Sequence, residues 1–313
     1  MLCFILLRFY SKGWNLKDSR YLFIVNPAAG QGRTAGLFGS IKPLLDGRKI
    51  PFEFRLTSGP GEAESFAREA LSGGFTHIVA VGGDGTSHEV VNGILGSSII
   101  FGAIPSGSGN DFPKSAGIPL ETGEALETLF SGRVRTVDVG KLGDACFING
   151  LGIGLDGAVS HRFKKLKHFR GQLGYIMGAV QEAFTFEGFR ADIAIGDWKF
   201  SGRLLLAGAS NGIYQGGKFR LAPWARVDDG LLDFHIIKDM SPIERLVKIP
   251  KVLSGTHSGL AEVELRAGTA MEITVERRQP AHMDGEPFYI DPGAHRVEVV
   301  PKALRIMSSE RLC

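Results

Sequence analysis

The sequence predicts two domains: an α/β N-terminal domain built on a parallel sheet, residues 20–133, and a mainly antiparallel β domain, residues 134–306. Three observations carry that expectation. Strand-like and helix-like patterns alternate every 20 to 30 residues through the first part, the spacing of βαβ units. From about residue 134 the apolar runs become short and alternating, with turn residues between them. A length of 313 residues also exceeds what one hydrophobic core usually serves.

Taken in order, "YLFIVN" (21–26), "FEFRL" (52–56), "HIVAVG" (77–82) and "IIFGAI" (99–104) read as strands. The last two are almost wholly apolar, as strands covered on both faces are. Helical patterns fit residues 34–46, 61–72, 86–96 and 121–130. In the second domain, runs such as "VRTVDVGKL", "ADIAIG", "GLLDFHII", "MEITVE" and "HRVEVVP" read as strands, interrupted by helices near 172–186 and 242–254. Residues 1–19 form an N-terminal tail. Its apolar run is six residues long before Arg8, too short to span a bilayer, and a signal peptide's flanking features are missing. A short tail or a misplaced translation start is the expectation.

Composition narrows the class. Hydrophobic content of 43% and charged content of 22% describe a soluble globular chain. A net charge of +3 argues for no nucleic-acid partner, and no segment resembles a nucleic-acid module. Cys3, Cys146 and Cys313 make neither a disulfide framework nor a zinc pattern, which fits a reducing, cytoplasmic setting. Cys146 reads as a core residue. Trp14, Trp198 and Trp224 read as packing residues, and His77 and His88 as surface or turn residues.

In a parallel sheet, ligands bind beyond the carboxyl ends of the strands. There fall "NPAAGQGR", "GGDGT" and "PSGSGND". Glycine loses the most backbone entropy when fixed, so Gly82, Gly83 and Gly85 need a geometric reason. Consecutive amides in a glycine-rich turn form a concave anion site, and a following helix adds its positive end. Three such loops at one sheet edge point to phosphate. Thr86 is placed to cap the next helix, with Glu89 completing a capping box. No segment matches G-x-x-x-x-G-K-[ST], which excludes a Walker-type NTPase. "GQGRTAG" has the wrong glycine spacing for a dinucleotide fold, and the second strand ends "RLTSG", without an acid to hold a ribose. Asp84 among anion-binding amides would repel phosphate unless a cation mediates, as Mg²⁺ does in kinases. The other reading, an aspartate fixing its own turn, stays open.

These blocks carry a resemblance. "NPAAG", "VGGDGT" and "PSGSGNDFPKSAGIP" resemble the diacylglycerol kinase catalytic-domain family, which includes bacterial soluble lipid kinases and sphingosine kinases. That family belongs with phosphofructokinases and NAD kinases. "GQLGYIMGAV" (171–180) resembles its L-G-x-L-x-Y helix, and "MDGEP" (283–287) its D-G-E-P turn; the similarity runs from about Arg20 to Ile306. The resemblance implies a lipid kinase using ATP and Mg²⁺, with the site in the interdomain cleft. By it, Asn26, Thr57, Gly82, Gly83, Asp84, Gly85, Thr86 and Ser108 contact nucleotide. Asp284 is the general base, Glu286 and Asp84 support the phosphate or metal region, and Asp138 and Lys167 form an electrostatic relay. A structural Mg²⁺ is held by Asp229 and the backbone at Arg226 and Leu231. The implied reaction turns diacylglycerol into phosphatidic acid. A sphingoid base, phosphatidylglycerol or NAD as acceptor, or a catalytically weak lipid- or nucleotide-binding regulator, are the alternatives.

The sequence departs from the family in places. Ala29 and Gln31 replace a usual serine and lysine, and Arg33 is the nearby cation left to serve nucleotide. Ser106, Ser108, Pro113 and Lys114 stand where leucine, threonine, alanine and arginine are usual; Ser108 keeps a hydroxyl. "HRFKKLKHFR" (161–170) packs five Lys/Arg and two His into ten residues, with Phe163, Leu166 and Phe169 on one helical face. Each cation near an anionic leaflet contributes about 1 kcal/mol. The expectation is a cytoplasmic, peripherally membrane-associated enzyme, and a homodimer is compatible with it.

Overall fold

The computed structural model describes residues 19–48, 50–165 and 172–309. Strands β1 (Tyr21–Val25), β2 (Phe52–Leu56), β3 (His77–Gly82) and β4 (Ile100–Pro105) lie parallel in the order β2-β1-β3-β4. β1, β3 and β4 are buried throughout, whereas β2 forms the edge and exposes Glu53. Alternate side chains leave opposite faces of the sheet. Leu22, Ile24, Ala80 and Phe101 meet α2 (Glu62–Ala70) and α3 (Asp84–Ile94) on one side. Phe23, Val25, Val79 and Ile104 meet α1 (Arg33–Arg48) and α5 (Thr122–Ser131) on the other. A short helix, α4 (Asp111–Ala116), follows the third glycine-rich loop where no helix is anticipated.

The second domain is antiparallel. Its strands are β5 (Arg133–Leu142), β6 (Ala145–Phe147), β7 (Gly150–Gly154), β8 (Phe189–Ile195), β9 (Trp198–Ser210), β10 (Leu232–Lys238), β11 (Val263–Gly268), β12 (Ala270–Val275), β13 (Gln279–Met283), β14 (Glu286–Ile290) and β15 (Gly293–Ser308). Their inward residues, among them Leu151, Ile193, Phe234, Ile273 and Val297, form one core. Three helices complete the domain: α6 (Leu155–Lys165), α7 (Gln172–Thr185) and α8 (Pro242–Ser254). α6 packs on β13 and β14, and α7 packs against both α6 and α8. α8 begins at a complete capping box, Ser241 with Glu244, and ends at Gly255 in the left-handed conformation.

The two domains share strands. β15 pairs antiparallel with β12, then bends, and its Arg305 and Ile306 pair parallel with β4. β5 follows β15 along both parts, with a register break between Val300 and Leu304. Asp138 pins that bend. Its carboxylate accepts from Lys302 N and Gly230 N, each at 2.7 Å, and its own amide donates to Val227 O. Lys302 has a left-handed φ of 53°. Asp138 therefore holds backbone at the interdomain joint and does not line the cleft described below; Lys167 lies outside the described residues. Two minor expectations fail. His77 is buried and stacked on Tyr21 at 4.4 Å, and Trp224 is 63% exposed.

Replacing Asp138 with alanine leaves two part-buried amides, those of Gly230 and Lys302, without their acceptor, at about 1 kcal/mol each. Urea unfolding of Asp138→Ala should show a lower midpoint and a loss of unfolding free energy of that order, and an unchanged midpoint would remove the pinning role.

Candidate active site

The three glycine-rich loops converge at the carboxyl ends of β1, β3 and β4. Asn26 N donates to Val81 O, Ser106 N donates to Gly82 O, and Asn26 Nδ2 reaches Thr86 Oγ1 at 3.2 Å. The glycines are explained by contact between backbones. A Cβ on Gly107 would stand 2.5 Å from Gly83 Cα, and one on Gly30 would strike Ser106 O. The loops thus close on one another and leave a smaller anion-binding surface than three open nests. Ser108 and Gly109 line the cleft, and their amides have no protein acceptor among the described residues.

α3 starts at Asp84, inside the "GGDGT" loop, so Thr86 is buried in the helix and caps nothing. Glu89 serves a different helix: its carboxylate accepts from Gly61 N at 2.9 Å and Ala63 N at 3.1 Å, at the start of α2. The anion at the N-terminus of α4 is Asp84 itself. Its two oxygens accept from Asn110 N and Asp111 N, each at 2.7 Å. Burial first, and then the charge of Asp111, push the Asp84 carboxyl up to about 7 against those two bonds. Asp111 in turn accepts from Gly217 N and pairs with Lys114 at 3.3 Å.

Asp284 faces this group from the β13–β14 turn, in the left-handed region at φ 49°. Oδ1 accepts from Asn149 N at 2.8 Å and Gly150 N at 3.0 Å, and Oδ2 from Ile148 N at 3.0 Å. His88 Nδ1 completes the set at 2.8 Å from Oδ2. Far from being a plain surface residue, His88 reaches across from α3 to the β domain. Burial opposes its charging, but the bond to Asp284 and the charges of Asp284, Glu286 and Glu89 prevail and raise its pKa. Glu286 bends over the glycine-rich loop, its Oε1 2.6 Å from where a Gly85 Cβ would stand, and pairs with Lys164 at 2.6 Å.

Asp84, Gly85, Ser108, Asp284 and Glu286 therefore line one cleft, about 1000 Å³ including its open mouth. Gly82, Gly83, Thr86 and Asn26 form the layer behind it. Thr57 sits at the end of β2, donating to Val25 O, and does not line the cleft. Arg33 is exposed and its Nε donates to Gly30 O at 2.9 Å, so its guanidinium braces the first loop. Asn149, Gln215 and His282 also line the cleft, and sequence reasoning missed them. They lie in strands and connections whose local pattern reads as β structure, and only the tertiary fold gathers them.

Among the described residues, no group of three or more His, Cys, Asp or Glu side chains could hold a metal ion. The Arg226–Leu231 loop offers fewer side chains. Asp229 Oδ1 accepts from Leu231 N at 3.1 Å, and Arg226 stands 4.0 Å from Asp228. Burial, then the charge of Asp229, push Asp233 up to about 6. Asp229 thus lies near enough to Asp233 to hinder its ionisation, and paired carboxylate oxygens are the kind of donor a hard divalent cation takes.

Comparison with known proteins agrees with the geometry. Residues 20–142 match the diacylglycerol kinase catalytic domain, and residues 150–308 match the YegS C-terminal NAD kinase beta sandwich-like domain. A relative from Chromohalobacter salexigens, named "Probable lipid kinase YegS-like", is 30% identical over 261 residues, 82% of this chain and 83% of its own. One of the same name from Klebsiella pneumoniae is 30% identical over 295 residues, 91% and 94% of the two chains. A solved structure from Bacillus anthracis str. Sterne, named as a candidate diacylglycerol kinase, superposes with a TM-score of 0.77 at 25% identity, over 94% and 99% of the chains. Fold and cleft together define a two-domain phosphotransferase of the diacylglycerol-kinase type. The chain belongs to the YegS-like lipid kinase family.

The acidic loop yields a pH-dependent expectation. Asp233 holds its proton more tightly in the folded chain than in the unfolded one, so its ionisation weakens the fold as pH rises from about 4 to 6. A cation at Asp229 and Asp233 opposes that loss. Thermal unfolding should show an Mg²⁺-induced rise in Tm that grows over this range and vanishes in Asp229→Asn. The same rise in the variant would exclude the loop as a magnesium site.

Proposed function

We propose that this lipid kinase transfers the γ-phosphoryl group of ATP to the hydroxyl of a lipid alcohol, with diacylglycerol as the reference acceptor. One observation carries the reading. The polar cleft adjoins an apolar cavity of about 790 Å³, mouth included, walled by Val159 of α6, Ala179 and Ala183 of α7, and Ile249 and Val252 of α8. Gln215 lines both spaces. A triphosphate suits the first and hydrocarbon the second.

In the reaction the acceptor oxygen bonds to the γ-phosphorus as the bond to the ADP oxygen breaks, and the hydroxyl proton goes to a base. Asp284 is the proposed base. Four donors already fill its oxygens, three of them backbone amides, so His88 is the partner that can yield to a substrate hydroxyl. The amides of Ser108 and Gly109 receive phosphate oxygens. Mg²⁺, when bound, supplies charge neutralisation at the transferred group, and Asp84 and Glu286 are the carboxylates at hand.

The acceptor is a membrane lipid, so the enzyme is read as a cytoplasmic protein working at a bilayer surface. No helix among the described residues is long and apolar enough to cross one. The basic stretch contributes less than its charge suggests. Arg162 pairs with Glu182 and Lys164 with Glu286, and residues 166–170 lie outside the described residues. Apolar side chains support the reading better: Met177 and Phe184 of α7 and Ile243 and Val247 of α8 are 52–72% exposed, on the helices that wall the cavity.

Labelled ATP with lipid alcohols in mixed micelles should give a labelled phospholipid. ATP binding with no lipid labelled would leave only a nucleotide-binding regulator. Filling the cavity by Ala179→Phe should lower kcat/KM for long-chain acceptors about tenfold, the worth of roughly 1.4 kcal/mol, and spare a short-chain analogue. Equal losses for both chain lengths would place the hydrocarbon elsewhere.

A further inference from the structure

One side chain of the α/β domain grips the carboxylate that the β domain presents to the cleft. His88 lies one turn beyond Asp84 on α3, and its Nδ1 stands 2.8 Å from Asp284 Oδ2. Asn92, one turn further on, holds the same seam. Its Nδ2 donates to Cys146 O at 3.0 Å and to His88 O at 2.9 Å, and its Oδ1 accepts from Cys146 N at 3.2 Å. Two residues after Cys146 begin the amides of Ile148, Asn149 and Gly150 that hold Asp284. Helix and carboxylate are thus fixed to one short segment.

The pair has two faces. Asp284 lines the cleft and His88 does not, so any effect of His88 on the cleft passes through the carboxylate. The Asp284 side chain is 2% exposed and that of His88 is 17% exposed. A carboxylate only accepts, so it fixes a ring proton on Nδ1. Nε2 makes no hydrogen bond to protein among the described residues and is left to water. Of the four donors on Asp284, three are amides with no second state, and the imidazole alone gains and loses a proton near neutral pH.

We infer that His88 is a positioning residue for the transfer step: through Nδ1 it aims Asp284 at the acceptor hydroxyl, and through Nε2 it sets whether that carboxylate is free to take the proton. The inference rests on the lipid-kinase reading above and deepens it. An opposite charge in contact favours the ionised form of a carboxylate, so an imidazolium at Oδ2 opposes proton uptake there. Its charge-assisted bond is also the stronger one to displace. With Nε2 bare, the neutral ring still orients the carboxylate and yields more readily to the hydroxyl. The charges around His88 favour the imidazolium. Asp284 leads, followed by Glu286 and Glu89, and together they raise its pKa against burial. The other charges near the seam are largely committed. Glu286 pairs with Lys164 of α6, Glu89 and Asp84 accept backbone amides, and Glu64 and Arg68 of α2 pair together. Lys141 and Asp144, on the β5–β6 hairpin, bear on Cys146 beside Asn92.

The test follows kcat against pH for wild type, His88→Asn and His88→Ala, with labelled ATP and saturating diacylglycerol in mixed micelles. Wild type should rise with pH through a titration above the ordinary imidazole value of about 6.5, and so lose about tenfold or more from its plateau at about pH 5.5. Asparagine places a donor where Nδ1 stands and does not titrate. His88→Asn should therefore keep most of the plateau and lose that acid limb. His88→Ala should lower kcat about tenfold or more at every pH, with KM for ATP within about twofold. An acid limb unchanged in His88→Asn belongs to another group, Asp84 first, and overturns the inference, as does a wild-type kcat in His88→Ala. If wild type phosphorylates no lipid, the kinase reading fails by itself, and ¹⁵N NMR of the imidazole decides the pairing. Nδ1 should stay protonated while Nε2 titrates, with a midpoint that falls about one pH unit or more in Asp284→Asn. A midpoint unmoved by that substitution removes the role of His88.

Discussion

Backbone amides closing on two carboxylates are the constraint on which the cleft depends. Asp84 takes the amides of Asn110 and Asp111, and Asp284 takes those of Ile148, Asn149 and Gly150. An ionised carboxylate costs several kcal/mol to bury unless such bonds replace its water. The chain deforms to supply them. Among the described residues four non-glycine positions have positive φ: Gln31, Asn110, Asp284 and Lys302. The first three stand in the loops around the cleft, and the fourth is the interdomain bend held by Asp138. Backbone strain is thus concentrated where carboxylates and loops meet.

That constraint explains what the sequence could and could not disclose. The parallel strands and the flanking helices were legible because a strand covered on both faces must be apolar, and "HIVAVG" and "IIFGAI" are. α8 was legible as an interruption of the strand pattern, and the structure adds the local reason for its start, the Ser241–Glu244 capping box. The pattern Thr86–Glu89 is equally local and misleads. A carboxylate three residues away competes with any helix start that tertiary packing brings closer, and the amides at Gly61 and Ala63 win. His88 fails for the same reason. Its partner lies 196 residues away, and nothing in "GTSHEV" announces it.

Family membership constrains the reaction class more tightly than the substrate. The side of the cleft proposed to take phosphate is built largely from backbone, with Gly83 against Gly107 and amides at Ser108 and Gly109. Backbone recognises phosphate whatever side chains surround it, so replacements such as Ser106 and Ser108 leave its logic intact. The side proposed to take the acceptor is built from side chains, the apolar faces of α6, α7 and α8.

The continuous strands β5 and β15 make this division workable. Because both run through the two domains, the glycine-rich loops and the helices that wall the apolar cavity hang from one covalent frame. The His88–Asp284 bond adds a side-chain tie across the same gap. A cleft so framed need not be assembled anew for each substrate; what remains adjustable is the seat of the head group. On the proposed reading, Asp284 requires the hydroxyl to arrive in one place, while an apolar cavity accepts hydrocarbon with little regard for detail. Directional groups between them must then do the discriminating. Among the described residues, Gln215 lines both the cavity and the cleft, so the two spaces meet at a polar side chain.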